Sequence, residues 1–310
     1  MTRVRIPARA LLKMETQETK KNFSRWYDEN YKKILILPLI LLVISLAYLV
    51  YFYKDNGDFI HKDVSLSGGT SITVQNVTQE QVDSVLRQEF PDVSFTKISD
   101  LASGREIALI IETAASPEEI VPAIENILGF ALTDENSTVE FTGSSLSNSF
   151  YKQLIIALII SFVLMSIVIF VLFKSFVPSI AVIFAAFADI VIPLAFLDIL
   201  GVKISAAGIA AFLMLIGYSV DTDILLTSRA LKSSEDSLNE RIYRAFKTGI
   251  FMTLTALVAV LPAFFLVTGL PHSFRQIFLI LSVGLFVDIL NTWLTNASII
   301  KWYANKKGIK

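Results

Sequence analysis

Hydrophobic residues along this chain fall into six long runs and one interval where they recur in short periods. The runs cover residues 34–53, 153–173, 177–200, 205–228, 248–268 and 276–300. A run of roughly 20 apolar residues is long enough, at 1.5 Å per residue, for a helix to cross ~30 Å of hydrocarbon. The first run, ILILPLILLVISLAYLVYFY, is uncharged and closes on Tyr48, Tyr51 and Tyr53, which suit a membrane–water boundary. A mixed polar stretch of 33 residues precedes it, so it reads as a retained helix rather than a cleaved leader.

Between the first and second runs the pattern changes. Residues 64–75 hold a β-branched apolar run after Gly68-Gly69-Thr70, read as a strand. Thr78 and Gln81 form a capping-box pair, and Val82, Val85, Leu86 and Phe90 keep helical spacing until Pro91. Residues 93–98 and 106–113 read as strands joined through Ser103-Gly104. Ser116-Pro117-Glu118-Glu119 starts a second helix, with Ile120, Ile124 and Ile127 on its inner face and Gly129 near its end. Residues 137–141 read as a last strand. The order βαββαβ is the ferredoxin-like split motif. The expected fold is therefore a polytopic α-helical membrane protein, with six transmembrane helices and an α+β ferredoxin-like extracytoplasmic domain between helices 1 and 2. The expected divisions are an N-terminal segment 1–33, helix 1 at 34–53, the βαββαβ domain at 54–150, a five-helix bundle at 151–300 and a tail at 301–310.

Charge adds the orientation. The net charge of −1 conceals an asymmetry: residues 1–33 carry nine Lys/Arg against four acids, and residues 54–147 carry five against sixteen. The 229–247 stretch holds Arg229, Lys232, Arg241, Arg244 and Lys247, and the tail holds Lys301, Lys306, Lys307 and Lys310. The positive-inside rule then places both termini in the cytoplasm of a multi-pass cell-membrane protein. A mean hydropathy of +0.61 argues against one soluble domain. There are no cysteines and only two histidines, His61 and His272, without partners at ligand spacing, so no metal centre is expected. No Walker-type loop or Gly-x-Ser-x-Gly occurs. The expectation is a non-enzyme without cofactors that lies in the lipid bilayer and has no nucleic-acid partner.

Candidate chemistry lies in the polar residues inside the apolar runs. A carboxylate near the bilayer centre costs at least ~2.5–3.5 kcal/mol, so each marks a functional hypothesis. Gly217-Tyr218-Ser219-Val220-Asp221-Thr222-Asp223 sits in the fourth run. Its two acids stand about 200° apart around a helix and cannot share a face. Asp221 lies with Met214, Gly217 and Leu225, and Asp223 with Ile216, Ser219 and Thr227. Asp189 lies in the third run with Pro193, and Asp288, Asn291, Thr292 and Thr295 form one stripe in the sixth. Asp221, Asp223, Asp189, Asp288, Asn291 and Thr292 are the candidate ion relay. Hydrogen bonding between helices is the structural alternative for each. Lys247 reads as a snorkelling anchor rather than a counter-ion. Ala206, Ala207, Gly208, Ala210, Ala211 and Gly217 make the fourth helix narrow and suited to close packing.

The layout of one helix, an outer domain and five helices resembles the SecF family. Leu66-Ser67-Gly68-Gly69-Thr70 after the first helix and the Gly217–Asp223 motif in the fourth carry the resemblance, with Gly68, Gly69 and Thr70 as the outer-domain motif. SecF proteins are the smaller subunits of the SecD–SecF protein-export complex, within the resistance–nodulation–division superfamily. Bacterial members read Ser-Ile-Asn-Asp-Thr in the fourth helix, whereas this chain has acids at Asp221 and Asp223 with Thr222 between them. Ala188-Asp189 stands where the family has His-Asp, and Thr248 falls near a bacterial Arg, so the pattern is archaeal-type. The resemblance implies SecD, the Sec translocation channel and an exported polypeptide as partners, with ion flow through a twelve-helix bundle driving the cycle. A small-solute or ion transporter half of the same superfamily, or a structural assembly factor, are the alternatives.

Overall fold

The computed structural model describes residues 27–99, 105–232, 236–266 and 272–309. Most of the basic N-terminal segment and the Ser103-Gly104 turn lie outside the described residues. Among the described residues, six helices are long and apolar enough to cross a membrane: Tyr27–Asn56, Ser144–Phe173, Phe176–Ile199, Ala206–Leu231, Leu238–Phe265 and Phe274–Lys307. Their regular parts are α1 (Ile36–Asn56), α5 (Ser144–Phe173), α6 (Phe176–Ile199), α7 (Ala206–Leu231), α8 (Leu238–Leu266), and α9 (His272–Leu290) continuing into α10 (Ala297–Lys307). Burial sorts them. In α6, α7 and the α9–α10 span, 61%, 56% and 50% of the apolar window is buried, against 6% in α5 and 17% in α8. The three helices carrying the polar residues thus form the centre, with α5 and α8 outside them.

The helices outrun the apolar stretches. The expected 229–247 loop is mostly helix: α7 runs to Leu231, α8 starts at Leu238, and Arg241, Arg244 and Lys247 lie on its first turns. The reason is local amphipathicity, because Leu238, Ile242 and Ala245 pack with Leu226, Ala230, Ala297 and Ile300 in one apolar cluster. Lys301, expected in a solvated tail, is buried. It pairs with Asp28 at 2.6 Å and donates to Asn239 Oδ1 at 2.8 Å, and its ammonium lies 4.0 Å from the Tyr27 ring centroid. An ammonium held by a carboxylate, an amide oxygen and an aromatic face tolerates burial.

Between α1 and α5 lie a short helix α2 (Val64–Ser67), β1 (Gly69–Gln75), α3 (Gln79–Glu89), β2 (Ser94–Ser99), β3 (Glu106–Thr113), α4 (Pro117–Leu128) and β4 (Ser137–Thr142). The sheet order is β2-β3-β1-β4 with every pair antiparallel, the ferredoxin-like arrangement. Capping boxes at Thr78/Gln81 and Ser116/Glu119 start α3 and α4. Ile72, Val74, Leu109 and Ile111 of the sheet meet Val82, Leu86, Ile120 and Ile124 of the helices. Residues 64–67, ahead of the Gly68-Gly69-Thr70 strand read from the sequence, carry no element of their own in that reading. They form a helical turn because the Asp63 carboxylate caps it, accepting from Ser65 N–H at 3.1 Å. Gly68 (φ +92°) and Gly69 (φ +127°) then turn the chain into β1. A Cβ at either would collide, at Gly68 with the Ser144 backbone and at Gly69 with the Thr113 carbonyl.

The sheet domain is fastened to the turn between α6 and α7. Lys62 and Ile204 form a parallel β-bridge: Asp63 N–H donates to Ile204 O at 3.0 Å and Ile204 N–H to His61 O at 2.6 Å. Lys203 pairs with Glu112 of β3 at 2.5 Å and donates to Ser94 of β2 at 2.6 Å. At the end of α6, Asp198 accepts from His61 N–H and Tyr48 O–H, each at 3.0 Å.

Candidate functional site

The polar residues of α6, α7 and the α9–α10 span meet in one network. On α7, helical periodicity sets Ser219, Thr222, Asp223 and Thr227 on the inner side, and all four are buried. Asp189 of α6 accepts from Ser219 Oγ and, at 2.6 Å, from Asn291 Nδ2. Asp288 of α9 accepts from Thr292 Oγ1 at 3.1 Å and Thr222 Oγ1 at 3.3 Å. Asp223 accepts from Asn296 Nδ2 at 2.8 Å, and the same amide reaches Thr227 Oγ1 at 3.4 Å. Asp189, Asp223 and Asp288 are each no more than 1% exposed. Among the described residues no Lys, Arg or His side chain pairs with any of the three.

The expected polar stripe of the sixth helix is corrected by a π turn at Asn291–Asn296. The i→i+5 spacing of a π turn rotates every later residue of the helix out of α-helical phase, and such turns recur at functional sites. Asp288, Asn291 and Thr292 join the network as their spacing implies. Thr295 is buried, but its hydroxyl meets no partner among the described residues, and Asn296 reaches Asp223 instead. Asn296 stands at i+8 from Asp288 and i+4 from Thr292, so the α-helical pattern carried one position further would have found it. Ser219 and Thr222 could be found as well, because the first lies one turn before Asp223 and the second beside it.

Asp221 is not brought into this network. It is exposed on α7, on a face with Gly217 and Met214, the latter 51% exposed. Gly208 and Ala211 do pack closely, Gly208 against Gln276 and Ile280, whereas Gly217 faces open space. Gly68, Gly69 and Thr70 lie far from the carboxylates in sequence and role. The two glycines turn the chain, and buried Thr70 donates to Ala115 O at 2.6 Å. Lys247 is exposed on α8. No group of three His, Cys, Asp or Glu poised to hold a metal occurs among the described residues.

Buried carboxylates shared by three central helices, beneath a ferredoxin-like domain inserted after the first helix, define a polytopic membrane protein with titratable chemistry inside its bundle. The chain matches the family Protein export membrane protein SecD/SecF, C-terminal, over residues 123–306. It is 38% identical to Protein-export membrane protein SecF of Methanolacinia petrolearia, over 91% of this chain and 98% of that protein. It is 33% identical to the SecF of Pyrococcus furiosus, over 93% and 96% of the two chains. The crystal structure of SecDF from Thermus thermophilus, a translocon-associated membrane protein, shares the fold at a TM-score of 0.71 and 18% identity. That match covers 89% of this chain and 38% of the solved one. The chain belongs to the SecF family.

Proposed function

We propose that this protein is the SecF subunit of a SecD–SecF complex that promotes protein export through the Sec channel, driven by an ion gradient. Family membership supports the export role, and the SecDF likeness supports pairing with SecD. In this reading both termini are cytoplasmic and the sheet domain faces outward to meet the emerging polypeptide. The basic residues at Lys32, Lys33, Lys174, Arg229 and Lys232, all at one end of the bundle, favour that orientation.

The observation that carries the coupling is the network of Asp189, Asp223 and Asp288, buried without a basic partner. Carboxylates in a dry interior that lack a basic partner are neutralised by a bound proton or cation, so their occupancy responds to an ion gradient. Hydroxyl and carboxamide side chains link them across α6, α7 and α9, so a change at one carboxylate alters hydrogen bonds between helices. The α6–α7 turn bridged to the sheet domain is the route by which such a change reaches the outer face. Asp221 has a different role. An exposed carboxylate on a membrane helix cannot rest against lipid, so its face of α7 meets SecD.

The test uses Asp223→Asn and Asp221→Asn in cells, scoring export of a secreted reporter alongside co-purification with SecD. Asp223→Asn is expected to lower SecF-dependent export at least tenfold with the complex intact. Asp221→Asn is expected to weaken co-purification. Full export with Asp223→Asn would leave the network a purely structural role.

A further inference from the structure

At the end of the bundle opposite the sheet domain, three spans leave a groove of about 340 Å³ between them. Its walls include Leu35 and Leu39 of the first span, Phe176 and Ile180 of α6, and Thr295 and Ile299 of the last span. No polar atom faces it, because the one hydroxyl on its walls, that of Thr295, is itself buried. The groove is open on its outer side, where Leu39, Phe176 and Ile180 are 40%, 73% and 42% exposed. A space at the small end of ligand sites, without a hydrogen-bond partner, suits one narrow apolar chain and excludes a polar solute.

The mouth of the groove is basic. The first span is helical from Tyr27, so Lys32 stands one turn before Leu35 and two before Leu39, on the face they share. Lys174 caps the end of α5, two residues before Phe176. Both lysines are exposed, and neither pairs with a carboxylate among the described residues. The N-cap of α6, Ser175, makes no side-chain cap, so the start of that helix adds partial positive charge beside Lys174. In a bilayer a lipid chain gains no hydrophobic energy by entering the groove, since neighbouring tails are as apolar as its walls. The groove offers shape, and a basic pocket between membrane helices supplies the choice of head group. We propose that this groove seats one chain of an anionic phospholipid, its phosphate held by Lys32 and Lys174. Thr295 and Ile299 belong to the π turn and α10, so the seated chain packs against the segment that carries Asn296.

The test is native mass spectrometry of the full-length protein, released from micelles that hold phosphatidylglycerol or phosphatidylcholine with the same chains. One phosphatidylglycerol per protein chain is expected, retained at a lipid concentration at least tenfold below the one phosphatidylcholine needs. Lys32→Gln/Lys174→Gln is expected to remove that difference. Lys306→Gln/Lys307→Gln, which deletes equal charge from exposed positions of α10, is expected to keep it. Ile180→Trp, which fills the groove from an exposed position, is expected to raise the phosphatidylglycerol requirement at least tenfold. Val168→Trp, on the exposed face of α5, is expected to leave it unchanged. Leu39→Trp fills the groove from the other wall and decides if Ile180→Trp does not elute as native protein. Equal retention of the two lipids, or equal losses in the two lysine pairs, would overturn the head-group site. Retention unmoved by the filling variants would overturn the groove as the seat. Loss of the lipid when the SecD–SecF complex is measured in the same way would show that SecD covers the groove, and would overturn the proposal as well.

Discussion

Carboxylates are buried in two places in this molecule, and they are treated differently. Glu112, at the base of the sheet domain, is 3% exposed and paired with Lys203 at 2.5 Å. Its charge is balanced on the spot by a residue from the α6–α7 turn, so it pins the domain to the bundle. Asp189, Asp223 and Asp288 are as deeply buried but are held by hydroxyls, carboxamides and, between Asp189 and Asp288, each other, without a basic partner. Fixed balance suits a joint. Missing balance suits a site whose charge must change, because a locked cation would hold the carboxylates in one state.

The sharpest way to break that contrast is Asp288→Asn. The partners of Asp288 are the hydroxyls of Ser219, Thr222 and Thr292 and the Asp189 carboxyl, all of which can accept from an amide NH2. The bundle should keep its melting temperature, while export stimulation falls at least tenfold. Asp189→Asn has the same tolerance, since its amide oxygen can accept from Asn291 Nδ2 while its NH2 donates to Ser219 Oγ. It too should keep its melting temperature while export falls. A thermal melt of each purified variant beside its export yield checks both. Equal melting losses in both would mean that the network is held by charge rather than by hydrogen bonding.

The joint should behave the other way. Lys203→Met strands the buried Glu112 carboxylate and should destabilise the sheet domain by about 1–3 kcal/mol, reduced from the usual buried-pair figure because Lys203 is partly exposed. Limited proteolysis of the domain reads the loss. Adding Glu112→Gln should recover much of it, and export per folded molecule should stay close to normal. Failure of the double variant to recover would show that Lys203 acts through its stem rather than its charge.

Much of the sheet domain was legible in the sequence, since its signals are local. Thr78, Gln81, Ser116, Pro117 and Glu119 announce two helix starts, and short apolar runs rich in β-branched residues announce the strands. Residues 64–67 escaped because their conformation is set by one capping carboxylate and two positive-φ glycines rather than by hydrophobic period. In the bundle the sequence placed the acids but not their company. The opposed directions of Asp221 and Asp223 followed from helix geometry alone. The pairing of Asp189 with Ser219 depends on how α6 packs against α7, and that of Asp223 with Asn296 on how α7 packs against the π turn.

The smallest effect expected is a pH dependence at the joint. Asp63 is buried near Glu112 and Glu140, and burial first, then the Glu112 charge, raise its pKa to about 7. Unfolded, the same carboxyl titrates near ~3.9. The folded state therefore holds a proton that the unfolded state has released, and the resulting stabilisation is lost as pH rises from about 4 to about 7. At ~1.4 kcal/mol per unit the whole span is worth roughly 2–4 kcal/mol, but only the last unit falls in a usable range, about 1 kcal/mol between pH 6 and pH 7. Asp63→Asn keeps an acceptor for Ser65 N–H and removes the titration. Its melting curve for the sheet domain should be flatter across that interval and should lie above the unaltered protein at pH 8. A parallel pair of curves would mean that Asp63 stays ionised in the fold, and that Lys203 balances it as well as Glu112.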